Sequence, residues 1–350
     1  MKRLLGVLTL ALLLGFGGLY LATRESIFSA DTYTSADFTP ATAALAVLSF
    51  LVLWLAPVVK IRALLASQGH TITAWQAFTA HVGQVFGTAM TPSGTGGAPG
   101  LVLALERSGV PIGTGVGVAV QLFILDLAAL GVLIPIGVAY IVIVSPLSLP
   151  PAVTALALGA AVVALVGAVV LARYPVALFR LIKRFSTWRI VRRFRKRLTR
   201  MGREYFVSAV AFRGLPLQRL AYLHTANLVS WLSNFVLLWA LLSAFGAQAR
   251  LLDVLAVLSI ITLVGFFVPT PGAAGFSELM VGLVVDSRTT EASIAGPVAL
   301  WRGGTFYVVY LLGPIVAWLL IARGRRGRRG GLNRRDAPPV SPADGSNQGA

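Results

Sequence analysis

The chain has 350 residues, 57% of them hydrophobic and only 12% charged, with a mean hydropathy of +0.81; these values exclude a soluble globular protein and indicate a polytopic membrane protein. A net charge of +18 would suit nucleic acid, but the basic residues concentrate in segments that alternate onto one side of a membrane, so topology explains the excess and no nucleic-acid partner is expected. With no cysteine, disulfides and thiolate sites are excluded, and the three histidines, His70, His81 and His224, lack zinc spacing, so neither metal nor cofactor is expected.

Apolar runs long enough to cross about 30 Å of hydrocarbon are Leu4 to Ala22, Pro40 to Val59, Ile112 to Val144, Val153 to Ala172, Leu220 to Phe245 and Gly296 to Ala322. They predict six crossings in an all-α fold. The first run follows Lys2 and Arg3. Its long core, and the lack of a small residue three before its end, favour an uncleaved anchor over a signal peptide. Residues 1–39 then form an anchor and external loop, 40–172 a first membrane half, 173–218 a basic cytoplasmic linker, 219–322 a second half and 323–350 a basic, then disordered, tail. Charge placement puts Lys60, Arg62, the Arg173–Arg219 stretch and both termini on the cytoplasmic side of the cytoplasmic membrane. Within the linker, apolar residues from Leu178 to Tyr205 recur near every 3.5 positions, which predicts a basic amphipathic helix lying on anionic lipid.

Two stretches do not read as simple crossings. Ala74 to Glu106 is broken at Thr91–Pro99 (TPSGTGGAP), and Leu251 to Val285 is broken at Pro269–Glu278 (PTPGAAGFSE). Each second arm has roughly 8 to 11 apolar residues, rising only about 12 to 17 Å as a helix, so each stretch predicts a re-entrant hairpin. Pro92 and Pro271, Gly96 and Gly275, and the span starts Pro40 and Arg219 are all 179 residues apart, which predicts a duplication. Three crossings lie between the hairpins, so the halves are expected to be inverted repeats.

Proline removes an amide donor and glycine relaxes the backbone, so each break exposes peptide groups at membrane depth, where they need protein or a water-filled cavity. The expected site comprises Pro92, Ser93, Gly94, Gly96 and Gly97 in the first break, and Pro269, Pro271, Gly272 and Gly275 in the second. The half-helix starting after each break would present its N-terminal amides to an anion such as a lipid phosphate; the bland alternative is that the small residues only kink and pack helices. Asp126, Glu278 and Arg302 are charged within apolar sequence, where a charge costs about 2.5 to 3.5 kcal/mol on insertion scales. Asp126 and Arg302 would meet near a pseudo-twofold axis. Glu278 either compensates the half-helix dipole or pairs with Arg302, which would then contact the phosphate. Gln84, Gln121, Asn227, Asn234, His81 and His224 also lie within or beside spans, where hydrogen bonding between helices is the default role.

The PTPGAAGFSE segment with ALWRGGTFYVVYLLG (Ala299 to Gly313), and TPSGTGGAP with LERSGVP (Leu105 to Pro111), resemble a bacterial and archaeal membrane family. That family is related to the N-terminal flippase domain of lysylphosphatidylglycerol synthases, the multiple-peptide-resistance proteins. The matching positions are Pro269, Pro271, Gly272, Gly275, Glu278, Arg302 and Tyr307. The resemblance implies translocation of an anionic or aminoacylated phospholipid, or of a polyprenyl-phosphate lipid, with membrane lipids as partners. Full-length relatives add a soluble aminoacyl-transferase domain; here about 28 residues follow the last apolar run, and no GxxxxGK[ST] nucleotide loop is present, so a transporter rather than an enzyme is expected. The alternatives are an integral-membrane lipid-modifying transferase, with Glu278 or Asp126 as general base, and a non-catalytic partner of a separate synthase or glycosyltransferase.

Overall fold

The computed structural model describes residues 36–91, 93–145, 151–175, 180, 184, 195–247, 249–265, 268, 270, 273, 276–281 and 292–316. These residues are helical with short connections, and no strand occurs among them. Among the described residues, five helices are long and apolar enough to cross a membrane: Pro40–Ala66 (α1), Ile112–Ile143 (α4), Pro151–Arg173 (α5), Leu217–Ala244 (α7) and Gly296–Val316. They coincide with five of the six expected crossings; the run at 4–22 lies outside the described residues, as does the tail beyond 316.

The first span starts where Thr39 accepts a hydrogen bond from the Thr42 amide (3.2 Å) and Pro40 occupies the first turn. It runs past Lys60 and Arg62 to Ala66, well beyond the apolar run. Helix α2, Ala74–Ala89, opens on a capping box in which Thr73 and Gln76 each receive the other's backbone amide. It ends at Met90, and α3, Gly97–Arg107, folds back against it. The two axes are held together by glycine: a Cβ on Gly100 would lie 2.0 Å from the Gly83 carbonyl, and one on Gly87 2.1 Å from that of Gly96. This pairing, 83 with 100 and 87 with 96, makes α2 and α3 an antiparallel hairpin.

Helix α4 is a single helix of 32 residues, continuous through Pro135. It has roughly 48 Å of rise, more than the hydrocarbon thickness. Its neighbour α5 buries only the small-residue stripe Ala157, Ala161, Ala164 and Ala168, while Val163 and Leu156 on its other face are exposed, as expected of a helix facing lipid.

The linker contributes α6, Arg195–Arg213. It does not rest on lipid alone. Gly113 and Gly117 of α4 leave room for its backbone and for Ser208, Gln121 Nε2 donates to the Ser208 carbonyl (3.0 Å) and hydroxyl (3.1 Å), and Tyr205 is buried. Leu178 to Phe194 of the expected amphipathic helix lie mostly outside the described residues.

Helix α7 packs along α1, and the two run antiparallel: the Asp37 amide donates to the Ala244 carbonyl (2.8 Å) at one end, and Lys60 meets Asn227 towards the other. Helices α8, Leu251–Gly265, and α9, Phe276–Val281, follow. Helix α10, Ala292–Arg302, continues through a π-helical turn at Gly303–Tyr307 into the rest of the last span. Such turns add one residue to a helical repeat and recur at functional sites.

Candidate functional site

The first break is closed by its own side chains. Thr91 Oγ1 donates to the Gly87 carbonyl (2.9 Å) and accepts from the Gly96 amide (2.7 Å), while the Gly97 amide donates to the Gly94 carbonyl (3.1 Å). Two amides expected to await an anion are therefore already used. A Cβ on Gly94 or Gly97 would meet Thr88, and one on Gly96 would meet Gly87 and Thr91, so these glycines seat the hairpin arms against each other. Left-handed backbone occurs at the tip, at Ser93 (φ 52°) and Gly94 (φ 66°), and at the second break at Ala273 (φ 52°). The first tip reaches the residue before the second break, where Ser93 Oγ donates to the Val268 carbonyl (3.4 Å). Pro92, Pro269, Pro271, Gly272 and Gly275 lie outside the described residues. Glu278 falls within α9, and its side chain is not among those described.

The structure brings a different set of polar groups together. A cavity of about 290 Å³ opens between α1, α2, α4, α7 and the last span. Each helix presents a stripe at helical spacing: Leu53, Trp54, Pro57 and Lys60 from α1; His81, Gln84, Val85 and Thr88 from α2; Leu122 and Asp126 from α4; Ser230, Trp231 and Asn234 from α7; Thr305 from the last span. Lys60, which the charge pattern places at a cytoplasmic membrane end, is only 5% exposed and donates to Asn227 Oδ1 at 2.5 Å. Asp126 accepts from Trp231 Nε1 at 3.1 Å. Lys60 and Asp126, both on the cavity wall, attract each other, yet each makes its hydrogen bond elsewhere.

One buried polar atom on the cavity wall, His81 Nδ1, has no hydrogen-bond partner among the described residues. Buried polar groups are ordinarily satisfied, so it points to a polar occupant. The walls are aromatic as well. Trp54 stands edge-on to His81 with centroids 5.6 Å apart, and its indole donates to the Gly304 carbonyl (3.3 Å); Trp301 donates to Asn234 Oδ1 (2.9 Å).

Arg302 lies one turn before Thr305, 6% exposed, with its guanidinium 4.9 Å from the Phe306 centroid and 5.2 Å from that of Trp301. It does not line the cavity. Tyr307 is half-buried in the π-helical turn, its ring edge-on to Phe306 at 5.2 Å. Of the expected site, Asp126 sits on the cavity wall, Arg302 and Tyr307 do not line it, and Ser93 and Gly94 lie at the hairpin tip. Lys60, His81, Gln84, Trp231 and Asn234 join it. Lys60 was legible in one respect: six further residues of helix-forming sequence, IRALLA, follow it. Gln121 and His224 lie off the cavity wall, Gln121 serving the α6 contact.

A bundle of apolar helices around a polar, charge-lined cavity defines a multi-pass membrane protein. The chain belongs to the family described as lysylphosphatidylglycerol synthase TM region, whose model matches residues 32–313. No curated protein matches the sequence.

Proposed function

We propose that this protein is a transporter of flippase or scramblase type, passing the headgroup of an anionic or aminoacylated phospholipid, or of a polyprenyl-phosphate lipid, across the cytoplasmic membrane while the acyl tails stay in lipid. The observation that carries this reading is the cavity lined by both Lys60 and Asp126, within helices whose outer faces are apolar. Burying a charge among membrane helices is costly, and such charges mark substrate paths. A cation for phosphate, aromatic walls and an unmet imidazole nitrogen suit a lipid headgroup.

We also read the two halves as inverted repeats with re-entrant hairpins. Supporting this, α1 and α7, the first helices of the halves, run antiparallel. Trp54 of α1 reaches Gly304 in the last span, and Trp231 of α7 reaches Asp126 in α4, a reciprocal exchange between halves. No catalytic step is assigned to the chain.

The test is reconstitution in liposomes with headgroup-labelled phosphatidylglycerol and a membrane-impermeant quencher, comparing wild type with Lys60→Ala and Arg302→Ala. Quenching beyond about half of the label, lost in Lys60→Ala, supports translocation through this cavity. Protection equal to that in empty liposomes, across several lipid classes, would turn the reading towards a transferase or a partner subunit.

A further inference from the structure

The titratable side chains on the cavity wall are Lys60 on α1, His81 on α2 and Asp126 on α4. The groups contributed by α7 and the last span, Ser230, Trp231, Asn234 and Thr305, carry no charge. Arg302 is the further cation on that span and does not line the wall; it lies against the Trp301 and Phe306 rings. Asp126 is held through Oδ1 by the Trp231 indole, not by Lys60, whose ammonium is turned to Asn227.

One acid and one amine facing a cavity fix its charge balance. With Lys60 donating to Asn227 and Asp126 accepting from the indole, the pair at rest is taken as ammonium and carboxylate, and the total is zero. A phosphodiester adds one negative charge. An uncompensated charge in such surroundings is expensive, and one proton removes it. The neutral bound state then has an ammonium on Lys60 against the phosphate, and the incoming proton on Asp126. No bond in the lipid forms or breaks; one proton is taken from solvent on entry and returned on release.

We propose that Asp126 is the proton site of a coupled step, in which the cavity takes a phosphodiester headgroup at Lys60 together with one proton on Asp126. This rests on the reading that the headgroup occupies this cavity. It makes transport of an anionic lipid electroneutral and ties it to the pH difference across the membrane, in a chain without a nucleotide loop.

The full chain in detergent micelles is titrated with short-chain phosphatidylglycerol, followed by tryptophan fluorescence, since Trp54 and Trp231 line the cavity. Calorimetry in two buffers of different ionisation enthalpy counts protons. The expected result is uptake of about one proton per ligand, with Kd rising about tenfold per pH unit above the titration range of the free site. Buffer dependence should vanish in Asp126→Asn and persist in His81→Gln. Binding without proton uptake, as a site already positive would give, overturns the inference, as does uptake that survives in Asp126→Asn and is lost in His81→Gln. Absence of binding overturns it too. Should Asp126→Asn fail to fold, the wild-type proton count and pH slope decide alone. Proton-linked binding without lipid movement in liposomes would sink the transport reading and leave the coupled site standing; lipid movement with no proton uptake would do the reverse.

Discussion

The hydroxyl of Ser93 and the backbone carbonyl of Val268 meet at 3.4 Å although 175 residues separate them in the chain. Ser93 belongs to the first interruption in the apolar sequence and Val268 immediately precedes the second, so the two breaks begin close together in the bundle. The contact pins the tip of the α2–α3 hairpin to the segment that follows α8.

That convergence can be tested covalently, because the chain contains no cysteine of its own. The double variant Ser93→Cys, Val268→Cys should form an intramolecular disulfide under mild oxidation in native membranes, seen as a mobility shift reversed by reductant. Either single variant should show none. Failure to cross-link with both thiols accessible to maleimide would place the two residues too far apart.

The hairpin seam predicts a strong asymmetry among glycine substitutions. Gly87→Ala and Gly100→Ala drive a methyl into a facing carbonyl and should destabilise the protein by about 1 to 3 kcal/mol. Gly159→Ala on α5, with open space around it, should be neutral or slightly stabilising. Thermal unfolding of the purified variants in one detergent reads the difference, and equal midpoints would refute the close seam.

Trp231 and Asp126 form a pair whose worth a double-mutant cycle can isolate. Trp231→Phe keeps the ring and removes the donor; Asp126→Asn keeps the shape and removes the charge. Their coupling should be about 0.6 to 1.7 kcal/mol, the range of hydrogen bonds between membrane helices. Additive effects would show that the indole only packs.

Sidedness checks the inverted arrangement. Single cysteines at Ala98 and Ala273 should label from opposite faces of the membrane with impermeant maleimides, and labelling of both from one face would remove inversion from the model. The expectation follows from three crossings between the hairpins.

Five candidate spans and the break that lets α3 fold back on α2 were legible because run length and the Gly–Pro break are local properties. The site was only partly so. Asp126 stood out as a charge in mid-span, but Lys60 read as a membrane-end anchor, since a lysine near the end of an apolar run ordinarily snorkels to water. What buries it is Asn227 on α7, far away in sequence. A helix apolar on all sides gives no signal of which face turns inward, so the polar stripes of α2 and α7 were visible as residues but not as a common wall. The glycines of the first break were read as an anion cradle, with packing as the alternative; Thr91 and Thr88 show packing geometry there. The docking of α6 depends on Gly113 and Gly117, whose significance appears only once a partner helix lies on them.

The cavity wall draws Lys60, His81 and Asp126 from before the basic linker, and Trp231, Asn234 and Thr305 from after it. Neither stretch alone encloses the site. Cut within the linker and translated as two polypeptides, the chain would yield fragments each blind to a headgroup, and any recovered binding would report their reassembly in the same bilayer.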